Sequence, residues 1–433
     1  MAMVEQTARA AWPRDRRAIL SWCLYDWANS AFPTIIGTFI FSVYFARGIY
    51  GEEIAGAASW AYALSLAGLI VALSSPVLGA IADHAGALKR WLGLFTLLCC
   101  LATGLLWLAK PDPSYVMLAL VLVVLANIAF ELGQSFYNAL LPVNAPPGMI
   151  GRVSGWGWGI GYLGGLVALA ATLVLFVGLG DGLKPLVALD RDSAEHLRAV
   201  GPLTAIWCAA FSLPIFLWAR DRAGPGEPLR QAIPKGLRQL ANTIRQARRH
   251  AMALRFLIAS AIYRDGLTTL FAVGGLYAAG VYGMDTGEIL VFAIGLNVTA
   301  GLGAIGFAWA DDGWGSRRTV LLSLVGLIAV GLPILFLQDK WAFIGAALAL
   351  GIFVGPTQAA SRSLMAKLSP PEMEAEMFGL YALTGKAAAI IGPALYGIAS
   401  QTFDSQRAGM STILVMFLIG GALLLTVREP DRE

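Results

Sequence analysis

Twelve predominantly apolar stretches, most of them about as long as the roughly 20 helical residues that cross a bilayer, dominate this chain and leave it few ways to fold. Their limits, read from charged and Pro/Gly breaks, are 19–46, 56–81, 91–109, 115–140, 153–178, 202–219, 254–280, 287–309, 319–337, 341–364, 376–400 and 409–427. Composition agrees, because 58% of the 433 residues are hydrophobic and only 13% are charged, against about 25% charged in soluble domains. The expected fold class is an all-α membrane protein with twelve transmembrane helices. Arg9, Arg14, Arg16 and Arg17 precede the first apolar run. That run continues to Phe45, too long for the apolar region of a signal peptide, so it reads as a retained first helix.

Composition also removes several function classes. A formal charge of +4 is small, and in a membrane protein it reflects loops facing anionic lipid, not a nucleic-acid partner. Cys23, Cys99, Cys100 and Cys208 lie in apolar runs without metal-ligand spacing, and His84, His196 and His250 are scattered, so neither a metal nor a cofactor is expected. There is no GxxxxGK[ST] phosphate loop for an ATP-driven pump. No nucleophile with an orienting base supports an enzyme. A receptor or scaffold would keep the fold without needing charged groups inside it.

Orientation follows from the Lys/Arg bias. With both termini cytoplasmic, the tails and even-numbered loops hold most of the 31 Lys and Arg residues and the external loops hold seven. Nine fall in residues 220–255, the longest polar segment. The expected organisation is therefore a six-helix bundle over 1–219, a basic cytoplasmic linker over 220–253 and a second bundle over 254–433. A shift of 224 residues supports it, aligning Gln134 with Gln358, Leu140 with Leu364, Pro146 and Pro147 with Pro370 and Pro371, Met149 with Met373, Gly155 with Gly379 and Gly161 with Gly385.

Ionisable groups inside a span cost several kcal/mol unless they face water or a partner, which makes each a functional candidate. Here they are Asp26, Glu131, Arg264, Asp265, Arg362 and Lys386. Residues three or four apart share a helix face, so Asn127, Glu131, Gln134 and Asn138 form a polar stripe on the fourth span. Trp22, Asp26, Asn29 and Pro33 do so on the first, Ser260, Arg264 and Thr268 on the seventh, and Gln358, Ser361 and Arg362 on the tenth. A buried carboxyl such as Glu131 or Asp26 can load and release a proton. Arg264 and Asp265 point about 100° apart, so at most one squarely faces a cavity; Arg264 either holds a substrate carboxylate or neutralises Asp26 or Glu131. The alternative for the uncharged amides is interhelical glue. The run GWGWGIGYLGG at 155–165 reads as a close-packing face.

Two loops share a further pattern. GAIADHAGALKR after the second span contains Gly79, Asp83, Gly86, Lys89 and Arg90, and ADDGWGSRR after the eighth contains Asp311, Asp312, Gly315, Arg317 and Arg318. The first resembles the loop signature of the major facilitator superfamily. Aligned on it, the second loop has Trp314 where Gly86 stands.

Longer segments are similar to one branch of that superfamily. YDWANSAF at 25–32, FYNALLP at 136–142, GRVSGWGWGIGYLGG at 151–165 and QAASRSLMAKLSPPEMEAEMFGLYALTGKAAAIIGP at 358–393 resemble the autophagy-related vacuolar amino-acid effluxers and their bacterial relatives. The resemblance implies a major facilitator fold of two pseudo-symmetric six-helix bundles and export of a small molecule, with neutral amino acids as the substrate class. It implies that helices 1, 4, 7 and 10 line the pathway, and that Asp83 with Asp311 or Asp312 acts as a conformational latch. The expected setting is a monomer in a bacterial cytoplasmic membrane, with the lipid bilayer, a small-molecule substrate and protons as partners. A sugar, drug or organic-anion porter remains the alternative.

Overall fold

The computed structural model describes residues 2–178, 185–222, 225–245, 250–284 and 286–429, and is helical throughout its ordered elements. Among the described residues twelve helices are long and apolar enough to cross a membrane: Arg16–Ile49, Glu53–Ala85, Leu88–Leu108, Pro113–Ala139, Ile150–Val177, Glu195–Trp218, Ala251–Tyr282, Val291–Trp314, Ser316–Ile334, Lys340–Leu368, Glu374–Thr402 and Gln406–Leu424. Each overlaps one of the twelve stretches read from the sequence. Their outward Leu, Ile and Val side chains remain exposed, Val291 at 70% and Leu73 at 67%, as expected where lipid replaces water as the solvent.

Local chemistry sets several ends. Asp112 accepts a hydrogen bond from the Ser114 N–H at 2.8 Å and Pro113 occupies the first turn of the fourth span, a cap followed by a residue that needs no donor. Asp339 does the same for Ala342 at 2.7 Å on the tenth span. Two spans are irregular. The first leaves α-geometry after Asn29 and continues as a π-helix over Phe32–Phe39, with Pro33 removing a backbone donor. The eleventh divides at Ala389–Ile390 into Glu374–Ala388 and Ile391–Thr402.

The chain divides into two compact units, one comprising Met1–Val71, Ala87–Leu140 and Ile160–Arg222, the other Ala72–Gly86, Leu141–Gly159 and Ala223–Glu433. In the first unit, Trp22 of the first span stacks on Tyr137 of the fourth, 4.4 Å between centroids. Their polar atoms are satisfied reciprocally, the indole N–H donating to the Tyr137 carbonyl (3.2 Å) and the phenol to the Trp22 carbonyl (3.0 Å). Gly161, Gly164 and Gly165 lie against Asp26, Trp27, Ser30 and Thr34 of the first span, where a Cβ at Gly164 would sit 2.7 Å from the Trp27 carbonyl oxygen.

In the second unit, Gly155 and Gly159 lie against the eighth span, a Cβ at Gly155 falling 2.6 Å from the Ala304 carbonyl oxygen. The glycine run thus serves close packing, one half of it in each unit. The segment 220–253, read as a linker, contains a helix, Leu229–Arg245; residues 223, 224 and 246–249 lie outside the described residues. The 224-residue repeat reappears as backbone. Met149 N–H bonds to Pro146 at 3.0 Å and Met373 N–H to Pro370 at 2.9 Å, each immediately before a new helix.

Candidate functional site

The two acidic loops are built alike. At the end of the second span the chain reverses through Gly86 and Ala87, both left-handed at φ +70° and +55°. This turn leaves Asp83 buried at 4% exposure. Its carboxylate accepts hydrogen bonds from the Ala375 and Glu376 N–H groups, at 3.2 and 2.9 Å, in the first turn of the eleventh span. Those donors have no partner inside their own helix, and the helix dipole adds a favourable field for an anion. Gly79 permits the approach, since a Cβ there would collide with the Ala375 carbonyl.

At the end of the eighth span Asp312 does the same for the fifth. Its carboxylate takes the Gly151 N–H at 2.7 Å and the Arg152 N–H at 3.2 Å, with the Arg152 Nε at 2.6 Å in an ion pair. The acceptors are 229 residues apart, and so are Ser75 and Ala304, whose carbonyl oxygens would sit 2.5 and 2.6 Å from a Cβ at Gly379 and Gly155. The capped donors, 375–376 and 151–152, are 224 apart, the repeat seen in the sequence.

This geometry corrects the loop alignment. Asp312, not Asp311, corresponds to Asp83, and Gly315 at φ +101° corresponds to Gly86, so Trp314 does not replace the turn glycine. Asp311 is 2% exposed and also lies against Gly151, but its carboxylate accepts from the Ser316 hydroxyl with the Lys367 ammonium 3.6 Å off. The side chains of Arg90 and Arg318 are exposed.

A second matched pair went unnoticed in the sequence. Asp221, just after the sixth span, accepts from the Lys89 N–H at 3.2 Å at the start of the third. Glu429, just after the twelfth, accepts from Ser316 and Arg317 N–H at 3.1 and 3.0 Å at the start of the ninth, and from Lys367 at 2.9 Å. Burial pushes the Glu429 carboxyl up, but the Lys367 ammonium and the Arg317 and Ser316 N–H groups outweigh it and hold it below the ordinary glutamate value. The signal was present as Arg220-Asp221 and Arg428-Glu429, each following a unit's last span.

Of the polar groups within spans, Asp26 and Asn29 on the first and Asn127, Glu131, Gln134 and Asn138 on the fourth belong to the first unit. Asp26 and Asn29 are buried, at 7% and 4% exposure, immediately before the π-helical break, and the four on the fourth span are half-buried. Asn29 Nδ2 and Gln134 Oε1 are buried without a hydrogen-bond partner, one donor and one acceptor on two packed-in helices. Arg264, Asp265, Gln358, Arg362 and Lys386 belong to the second unit.

There Arg264 lies 3.9 Å over the Tyr381 ring and Asp265 accepts the Gly392 N–H at 2.7 Å, capping the second piece of the broken eleventh span. Both side chains of the adjacent pair meet the eleventh span, one on each side of its break. Arg362 is 4% exposed and donates to the Ser154 hydroxyl (2.9 Å) and carbonyl (2.7 Å), tying the tenth span to the fifth.

Twelve spans, a repeat with exchanged helix caps and charged groups held within the spans define a membrane transporter of the major facilitator class. The same fold is found in the proton:xylose symporter XylE, with a TM-score of 0.73 at 12% identity over 97% of each chain. A bacterial homologue of the iron transporter ferroportin shares it, with a TM-score of 0.71 at 14% identity over 95% of this chain and 98% of that one. The Major Facilitator Superfamily profile matches residues 6–169.

The chain belongs to the family described as "Vacuole effluxer Atg22 like", whose profile matches residues 148–431. It is 27% identical over 413 residues to "Uncharacterized MFS-type transporter YxiO" of Bacillus subtilis (strain 168), covering 94% of both chains. To "Autophagy-related protein 22" of Coccidioides immitis (strain RS) it is 25% identical over 462 residues, covering 89% of this chain and 74% of that one.

Proposed function

We propose that this transporter exports neutral amino acids across a bacterial cytoplasmic membrane by alternating access between a bundle formed by 1–219 and one formed by 254–433, coupled to protons. The exchanged caps carry the reading. Asp83 and Asp312 each hold the N-terminus of a helix about 290 or 160 residues away in sequence, so their release would free both repeats at once. These contacts are the closed gate on the cytoplasmic side, with both termini on that side and the protein acting as a monomer. The family's description as effluxers supports export.

Asp26, Asn29, Asn127, Glu131, Gln134, Asn138, Arg264, Gln358 and Lys386 form the substrate and proton pathway, while Arg362 and Asp265 brace it. The unpaired Asn29 donor and Gln134 acceptor suit the carboxylate and ammonium of a zwitterion. Arg264, held over the Tyr381 ring, offers a fork for a carboxylate. In liposomes loaded with mixed unlabelled amino acids, labelled neutral amino acids are expected to accumulate by counterflow, and Arg264→Ala to abolish it. Counterflow of sugars or organic anions instead would reject the substrate class. A Glu131→Gln, Asp26→Asn protein that transports with unchanged pH dependence would reject the proton pathway.

A further inference from the structure

The linker helix Leu229–Arg245 presents three differently built faces. Ala232, Gly236 and Thr243 are buried, and a Cβ at Gly236 would fall 2.8 Å from the Ala80 carbonyl at the end of the second span. Leu229, Ile233, Leu237 and Ile244 form an exposed apolar stripe at 44–65% exposure. Lys235, Arg238 and Asn242 recur at i, i+3 and i+7, a third face turned roughly 120–200° from that stripe at 100° per residue. This third face borders an open cavity of about 390 Å³, lined also by Gln239, Thr243, Met373, His84 from the second span and His250 before the seventh. Among the described residues no carboxylate lines it.

We propose that this cavity binds a phosphate-type anion. Its walls carry a guanidinium, an ammonium, two imidazoles, two amides, a hydroxyl and the Met373 thioether, and the guanidinium, ammonium and imidazoles match phosphate oxygens. Among the described residues the Arg238 side chain has no hydrogen-bond or ion-pair partner. Lys235 pairs with Glu227 at 2.6 Å on the surface, side chains 50% and 19% exposed, and such a pair is readily exchanged for a better one. Thr243 is 5% exposed and its hydroxyl donates to the Gln239 carbonyl at 3.1 Å, closing that side of the pocket. The apolar stripe lies on another flank of the helix.

Occupancy would act on the caps. The same helix donates Gln239 Nε2 to the Glu376 carboxylate at 2.6 Å, and the Glu376 N–H is one of the two that Asp83 holds. An anion joining His84, the linker helix and His250 therefore strengthens the capped arrangement and disfavours its release. The ligand stands apart from the transported substrate, and the site exists whatever that substrate is.

The test uses the purified full chain in nanodiscs at constant ionic strength, read by thermal unfolding. In zwitterionic lipid, inorganic pyrophosphate is expected to raise the unfolding midpoint saturably, and Arg238→Ala, His250→Ala to weaken its apparent affinity about tenfold or more, as expected when charge-assisted contacts are lost. A rise with phosphatidic acid in the bilayer, lost in the same variant and not increased by pyrophosphate, would assign the anion to a lipid headgroup. Exposed Arg238 can be replaced without disturbing packing, and an unchanged midpoint without ligand verifies that. No response to either phosphate source, or a response that survives the double substitution, overturns the proposal.

Discussion

Asp83 illustrates what a single carboxylate accomplishes here. Two backbone donors that no helix can satisfy internally are closed by one side chain 292 residues away, and the charge lies where the helix field favours it. Capping contacts of this type contribute about 0.5–2 kcal/mol. Asp83→Asn keeps the shape but loses the charge, so amide hydrogen exchange over residues 374–379 is expected to speed up by about fivefold, the equivalent of roughly 1 kcal/mol. Unchanged exchange would mean that the first turn of the eleventh span holds itself.

The loop signature singled out Asp83 but left its partner open, because a hydrogen bond to backbone N–H leaves no mark in the partner's side-chain chemistry. For the same reason Asp311 and Asp312 could not be told apart by residue type. The turn glycine decides it, three residues after the capping acid in both loops. Arg362 shows the reverse limit: its place on a polar stripe suggested a cavity, and only the packing reveals Ser154 as its partner.

Among the elements, the twelve spans were readable because the bilayer imposes a length and the apolar runs meet it. Their interruptions were less so. Pro33 signals the irregular first span, but the break at Ala389–Ile390 precedes Pro393 and depends on Asp265 of the seventh span accepting the Gly392 N–H at 2.7 Å. Discontinuous helices expose backbone groups that need such partners. Asp265→Ala is expected to lower the unfolding midpoint of the purified protein more than Asp265→Asn, which retains an acceptor oxygen, by about 1–3 kcal/mol in stability. Equal effects would remove Asp265 from the cap. The linker helix was hidden by its charge, since Arg230, Lys235, Arg238 and Arg245 outweigh a short apolar stripe in any count of polarity.

At the scale of the molecule, the repeat unites these contacts. Asp83 and Asp312 cap the eleventh and fifth spans, while Asp221 and Glu429 cap the third and ninth. The internal repeat was visible as seven matched residues, and the structure gives them a reason, because Pro146 and Pro370 start equivalent turns that present equivalent donors.

Glu429 also makes stability depend on pH. Its folded pKa is depressed, so its contribution is present above the ordinary value of 4.5 and is lost as pH falls through the lower folded value. Thermal unfolding between pH 7 and 3 is expected to fall more steeply for the native protein than for Glu429→Gln. Parallel curves would remove the tail from this role.

The proposed alternation between two gate states is most directly tested by pulsed spin-label distances between cysteines at Arg90 and Glu372, both exposed, in the native protein and in Asp83→Asn, Asp312→Asn. A longer-distance population that is minor in the first and enlarged in the second is the predicted result. One identical distribution in both would contradict the account, making the exchanged caps static packing contacts in place of a gate.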